Sequence, residues 1–125
     1  MNRLAPIAVL GLLLATACAK EVAAPQDEGV CWHMAQLKDG TVKFNKLAQN
    51  VTSIEKCAVE LESMRLRFQR LGMPEENMIG AFQGRFLFLQ PEGIFTGEKL
   101  NGGHYLLLVR TGDGRLAKPG VMPVE

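Results

Sequence analysis

The stretch TSIEKCAVELESMRLRFQRLG, residues 52–72, decides the fold because it predicts one amphipathic helix. Thr52 and Glu55 fit a capping box, in which the Thr52 hydroxyl accepts backbone N–H bonds and Glu55 reaches back to the cap. Gly72 ends the pattern, so we expect the helix to run from about residue 53 to residue 71. At about 100° per residue, the apolar side chains form one stripe, which comprises Ile54, Cys57, Ala58, Leu61, Met64, Phe68 and Leu71.

The remaining surface of this helix is charged, and we interpret it as facing solvent. Glu60 and Glu62 have Lys56, Arg65 and Arg67 near them, a pattern typical of ion pairs on a solvated helix face. Arg65 falls at the edge of the apolar stripe. There we expect its methylene stem to lie on apolar surface while its guanidinium group stays in water.

A β-hairpin is predicted before the helix. Residues 30–37 and 41–47 are rich in apolar side chains and flank Asp39-Gly40, which is a strong turn signal because both residues tolerate positive φ. Alternation along the first strand places Cys31 and His33 on one face, with Trp32 on the other. Since Cys57 lies in the apolar stripe of the helix, we expect it to face the same sheet and to meet Cys31.

The segment after the helix predicts further strands. Residues 78–89 are interpreted as one long strand in which Gly84 marks a bulge or a bend. The apolar run 105–109 predicts a strand buried on both faces. The strands of this half that enter the count cover residues 78–89, 94–96 and 104–110, and a short strand at residues 115–117 is an optional addition. The fold class is therefore α+β, a two-layer sandwich of one helix on a four- to five-stranded antiparallel sheet, in the order β-β-α-β-β-β.

Residues 1–17 predict a cleaved signal peptide. Arg3 is the only charged residue of this segment, and residues 7–14 read IAVLGLLL. That run is far shorter than the roughly 20 apolar residues that a membrane-spanning helix needs. A charged start, a short apolar run and small residues behind it are typical of a secretory signal. We therefore expect an exported protein in the periplasm or cell envelope.

The residues LATAC, 14–18, resemble the processing site of bacterial lipoproteins, in which the cysteine is acylated and becomes the new N-terminus. The resemblance implies a lipid on Cys18 and a membrane anchor. The usual leucine three residues before the cysteine is an alanine here. Ordinary secretion, with cleavage after Ala17 or after Ala19, is therefore the alternative.

The mature chain is interpreted as a single domain with two flexible ends. Residues 18–29 are small and polar, and they predict a flexible tether between the anchor and the domain. The domain covers residues 30–118, and residues 119–125 are predicted to be a loose C-terminal tail.

Charge and cysteine content exclude some functions and favour one covalent link. Without residues 1–17 the chain has 13 basic and 13 acidic residues, a balance that argues against binding to nucleic acid. Cys31 and Cys57 remain as a pair once Cys18 is acylated or removed. In an oxidising compartment such a pair favours a disulfide.

Few residues are placed for catalysis. The mature chain has two serines, Ser53 and Ser63, and both lie on the predicted helix rather than on a strand-to-helix elbow, which argues against a serine hydrolase. No cofactor motif is recognised.

The alternative to the disulfide is a metal site, because two thiolates and two imidazoles would complete a tetrahedral zinc site. Its ligands would be Cys31, His33, Cys57 and His104.

Two functions follow from these observations. The first is a small exported, non-catalytic protein of the cell envelope, a lipid-anchored binding, inhibitory or accessory module whose partner is an unknown envelope protein or ligand. Its expected binding loop contains Phe95, Lys99 and His104, since binding residues concentrate on loops. The alternative is a small periplasmic metal-binding protein or enzyme that uses His33 and His104.

Overall fold

The computed structural model describes residues 21–120 and places one helix against one face of an antiparallel sheet. In chain order the elements are β1 Cys31–Gln36, β2 Val42–Ala48, α1 Ile54–Arg70, β3 Met78–Phe82, β4 Arg85–Gln90, β5 Gly93–Gly97, β6 Tyr105–Arg110 and β7 Leu116–Ala117. The sheet order is β2-β1-β3-β4-β5-β6-β7, and all neighbouring strands are antiparallel. The predicted α+β class and the hairpin before the helix are confirmed.

The sheet has seven strands rather than the predicted four to five, in the order β-β-α-β-β-β-β-β. The main reason is that the predicted strand 78–89 is a hairpin, in which Phe82 pairs with Arg85 across a two-residue turn. Gln83 and Gly84 have φ angles of 45° and 83°. A turn of this length needs positive φ, which glycine adopts freely and glutamine rarely adopts, so the sequence signal for the turn was weak.

The helix ends lie within one residue of their predicted positions, but two details differ. The N-cap is Ser53, whose Oγ accepts a hydrogen bond from the Lys56 backbone N–H at 3.2 Å, so the prediction of Thr52 as the cap was wrong. Leu71, predicted to end the apolar stripe, is the C-cap residue and is 69% exposed. Because the helix ends at Arg70, Leu71 does not continue the apolar stripe and its side chain is exposed to solvent.

The helix packs closely on the sheet where β3 has no side chain. A Cβ atom added to Gly80 would lie 2.3 Å from Cδ1 of Leu61 and 2.7 Å from the Trp32 carbonyl oxygen. Glycine is therefore required for the helix to approach this closely. The buried residues of this helix-side core are Cys31, Cys57, Ala58, Leu61, Met78, Phe82, Leu87, Leu89, Ile94 and Leu108.

The other side of the sheet, called the outer face here, carries a second apolar cluster. Its buried members are Ala24, Ala81, Phe86 and Phe88. The half-buried side chains packed against them are Val22, Trp32, Met34, Phe44, Ile79, Phe95 and Leu100. The sheet is therefore apolar on both sides, although only one side carries the helix.

Residues 22–29, called the strap here, lie against the outer face. They belong to the segment 18–29 that was predicted to be a flexible tether. Ala24 is 6% exposed, and the Pro25 carbonyl accepts a hydrogen bond from the Gly84 N–H at 2.8 Å. The Gly29 N–H donates to Oε1 of Gln83 at 2.9 Å. Part of the predicted tether thus packs on the sheet, and the β3–β4 turn supplies polar partners for the strap backbone.

Strand β6 is less buried than its composition predicted. Tyr105 is 68% exposed and Leu106 is 44% exposed, whereas Leu108 is buried in the helix-side core. The prediction of burial on both faces was wrong, because β6 has only the two-residue β7 beyond it and the helix lies over the other end of the sheet.

Some sequence predictions fall outside the described residues. The signal peptide, Cys18 and residues 121–125 of the predicted tail belong to this group. Within residues 21–120 no helix has the length and apolarity required to cross a membrane.

Candidate functional site

The two cysteines of the domain form a disulfide between the sheet and the helix. The Sγ atoms of Cys31 and Cys57 are 1.97 Å apart, with 5.3 Å between the Cα atoms. Both residues are fully buried. Cys31 reaches this position by alternation along β1 and Cys57 by its place in the apolar stripe of α1. The predicted disulfide is confirmed.

The alternative metal site does not assemble. Cys31 and Cys57 are oxidised, and oxidation removes both thiolate ligands. His33 lies on the helix side, where its Nε2 is 3.5 Å from Oε2 of Glu75. His104 lies on the outer face, so the sheet separates the two imidazoles. Across residues 21–120 no group of three or more His, Cys, Asp or Glu side chains could hold a metal ion.

The three residues of the predicted binding loop have different positions. Phe95 packs in the outer-face cluster, and the imidazole of His104 stacks on the Phe88 ring with 3.7 Å between centroids. Nε2 of His104 lies 3.3 Å from the Leu100 carbonyl oxygen. Phe95 and His104 therefore position the loop, whereas Lys99 lines an open cleft.

This cleft of about 260 Å³ lies between the 98–104 loop and the start of β4. It is called the loop cleft here, and its lining residues are Arg85, Glu98, Lys99, Gly102, Gly103 and Tyr105. Arg85 of β4 pairs with Phe82, a residue of the helix-side core. Tyr105 of β6 pairs with Thr96, and Thr96 pairs in turn with Leu87, which also belongs to that core. The register therefore places Arg85 and Tyr105 on the helix side of the sheet.

Close packing fixes the wall of the loop cleft. A Cβ atom at Gly97 would lie 2.8 Å from the Gly103 carbonyl oxygen and 3.0 Å from Cδ2 of His104, so only glycine allows the loop to approach β5 this closely. Together with the His104–Phe88 stack, this packing holds the backbone of the loop against β5. A pre-formed wall lowers the ordering cost of binding.

The lining of the loop cleft carries more positive than negative charge. Arg85 and Lys99 supply two cationic groups and Glu98 one carboxylate, and the Tyr105 hydroxyl can donate a hydrogen bond. Arginine and lysine beside the exposed residues Gly102 and Gly103 suit a carboxylate or phosphate. The described lining contains no serine, cysteine or histidine that would act as a nucleophile or base.

A second polar cluster joins the helix to β6. Glu62 was predicted to face solvent, but it is 4% exposed and accepts hydrogen bonds from two arginines. Nε of Arg65 lies 3.1 Å from its Oε2, and Nε of Arg110 lies 2.9 Å from its Oε1. Arg110 also donates to the Gln90 carbonyl. The prediction that the Arg65 guanidinium stays in water was therefore wrong, because a buried carboxylate holds it.

Two opposing effects set the ionisation of this glutamate. Burial alone would raise the pKa of Glu62, because the charged form loses water. The hydrogen bonds and positive charges of Arg65 and Arg110 outweigh burial, and the pKa of Glu62 lies below its ordinary value of 4.5. The cluster is therefore fully charged at neutral pH.

Sequence reasoning missed Arg85, Glu62 and Arg110, although two of them left a signal. On the helical wheel Glu62 falls about 40° from Ala58, at the edge of the apolar stripe and beside Arg65. Arg110 ends a long apolar strand, where a charge needs a partner. Arg85 gave no signal, since its place depends on the unrecognised Gln83-Gly84 turn.

Comparisons with protein-family models, curated proteins and solved structures find no match to this chain.

Proposed function

We propose that this protein is a small exported module of the cell envelope, anchored by a lipid on Cys18, that binds a ligand without transforming it. The observation that carries the proposal is the buried Cys31–Cys57 disulfide. Structural disulfides form and persist in oxidising compartments outside the cytoplasm. The disulfide thus supports the same location as the signal peptide and the LATAC motif of residues 14–18.

The loop cleft supports binding as the function and suggests the ligand class. Arg85 and Lys99 face a space of about 260 Å³, which suits one small anionic group rather than a large organic molecule. We propose that a carboxylate or phosphate of the partner occupies it. The Tyr105 hydroxyl, which lies 3.8 Å from the position of a Cβ atom added to Gly103, then borders the same ligand.

Labelling with radioactive palmitate tests the anchor. We expect the full-length chain, expressed in a bacterial host, to incorporate the label, because acylation requires the thiol of Cys18. The Cys18→Ala variant should be exported without label, since Ala15-Thr16-Ala17 still offers small residues for ordinary cleavage. Export of the unaltered chain without any label would contradict the lipid anchor.

Titration with inorganic phosphate tests the loop cleft. We expect saturable NMR shifts of the Gly102 and Gly103 amides in the mature protein, and about tenfold weaker binding after Arg85→Ala and Lys99→Ala together, because charge-assisted hydrogen bonds are lost. The control is Lys56→Ala, which removes an exposed positive charge from the helix. Equal affinity in all three proteins, or the absence of saturable shifts, would contradict an anion site.

A further inference from the structure

The strap, residues 22–29, is bound to the outer face of the sheet by apolar packing and by hydrogen bonds. Ala24 packs among Ala81, Phe86 and Phe88 on the outer face, and the Pro25 and Gly29 backbones hydrogen-bond to the β3–β4 turn. Val22 also packs against this cluster. The chain therefore enters the domain on the side opposite the helix.

The distance between the strap and Cys18 is short. Four peptide steps separate Cys18 from Val22 in the sequence. A fully extended chain covers at most about 3.6 Å per residue, so these steps span at most about 14 Å. A lipid on Cys18 is therefore held within about 14 Å of Val22, which packs on the outer face.

The exposed chemistry of the outer face suits a lipid surface. Trp32 is half-buried there, and the Lys46 ammonium lies 5.9 Å from the centroid of its ring. Leu106 pairs with the outer-face residue Phe95 and therefore lies on the same face. Its side chain is 44% exposed. Tryptophan prefers the interface between water and apolar chains, and lysine is attracted to anionic headgroups.

We infer that the outer face lies against the lipid headgroups, with Trp32 and Lys46 at the contact and the helix directed away from the membrane. This inference rests on the proposed anchor at Cys18. Because Arg85 and Tyr105 lie on the helix side, the loop cleft stays open to ligands from the aqueous compartment. The anchor thereby sets the orientation of the domain as well as its location.

The fluorescence of Trp32 tests this orientation, since the chain contains a single tryptophan. The acylated protein, its lipid verified by mass, is placed in vesicles of equal parts phosphatidylethanolamine and phosphatidylglycerol that carry a spin label on some headgroups. Spin labels quench tryptophan only at short range. We expect several-fold stronger quenching of Trp32 than of a tryptophan on the helix.

The matched control carries Trp32→Phe together with Val59→Trp, because Val59 lies on the helix and is 49% exposed. Its fold is checked by thermal unfolding before the comparison. A second control inserts a long Gly-Ser segment between Glu21 and Val22, which should reduce the quenching of Trp32 while the lipid stays attached.

The outcomes separate this inference from the proposed anchor. Strong quenching at Trp32 and weak quenching in the Val59→Trp control support the orientation. Equal quenching at both positions in a protein of verified acylation overturns the orientation and leaves the anchor standing. A mature protein without acyl groups overturns the anchor and the orientation together.

Discussion

Replacement of both cysteines, Cys31→Ala with Cys57→Ala, should lower the free energy of unfolding of the domain by about 3–4 kcal/mol. The disulfide closes a loop with a sequence separation of 26. The chain-entropy model attributes the stabilisation to the restriction that this loop places on the unfolded chain. A small domain has a total stability of about 5–15 kcal/mol, so the variant should lose a large share of it.

Urea denaturation of the oxidised protein and the double variant measures this loss. The control is the unaltered protein reduced with dithiothreitol, which should lose a similar amount because its cross-link is also absent. A difference below about 1 kcal/mol, far under the value from loop closure, would contradict a stabilising role for the disulfide.

Glu62→Ala should lower the free energy of unfolding by about 2–4 kcal/mol. The substitution removes the acceptor that Arg65 and Arg110 share and leaves two partly buried guanidinium groups unpaired. Their side chains are 19% and 22% exposed, so water compensates for part of the loss. The cluster also joins the helix to β6, and its loss should weaken the contact between them.

Glu60→Ala is the matched control for this prediction, because Glu60 is an exposed glutamate on the same helix. We expect the control to change the free energy of unfolding by no more than about 0.5 kcal/mol, as surface substitutions usually do. Equal stability of the two variants in urea would contradict the interpretation of Glu62 as a buried acceptor.

The stability of the unaltered protein and that of Glu62→Ala should differ in their pH dependence. The pKa of Glu62 is depressed in the folded protein, so its contribution is present above its ordinary value of 4.5 and is lost as the pH falls through the lower folded value. The unaltered protein should therefore lose stability more steeply than Glu62→Ala below pH 4.5. Parallel stability curves in acid would show that Glu62 is not held ionised.

Patterns that depend on neighbouring residues were predictable from the sequence. The Asp39-Gly40 turn, the helix and the alternation along β1 each arise from a few consecutive side chains. Cys57 in the helix stripe and Cys31 on the strand could therefore be paired before the structure was known. The disulfide required only that the helix cover the face of β1 that carries Cys31.

Features that depend on distant residues were not predictable. The Gln83 turn needs support from the strap, and the burial of Glu62 needs Arg110 from a strand 48 positions away. Tyr105 is exposed because the helix covers the other end of the sheet. The loop cleft also depends on distant residues. Arg85 lies near Lys99 and Tyr105 only because of the registers of β4, β5 and β6.

The central proposal is an exported, lipid-anchored domain held together by a disulfide, and intact mass of the mature protein extracted from membranes tests it most directly. The expected species begins at Cys18, carries the added mass of acyl chains, and lacks two hydrogen atoms because Cys31 and Cys57 are joined. A mature protein that begins at another residue, carries no acyl group or contains two free thiols would contradict it.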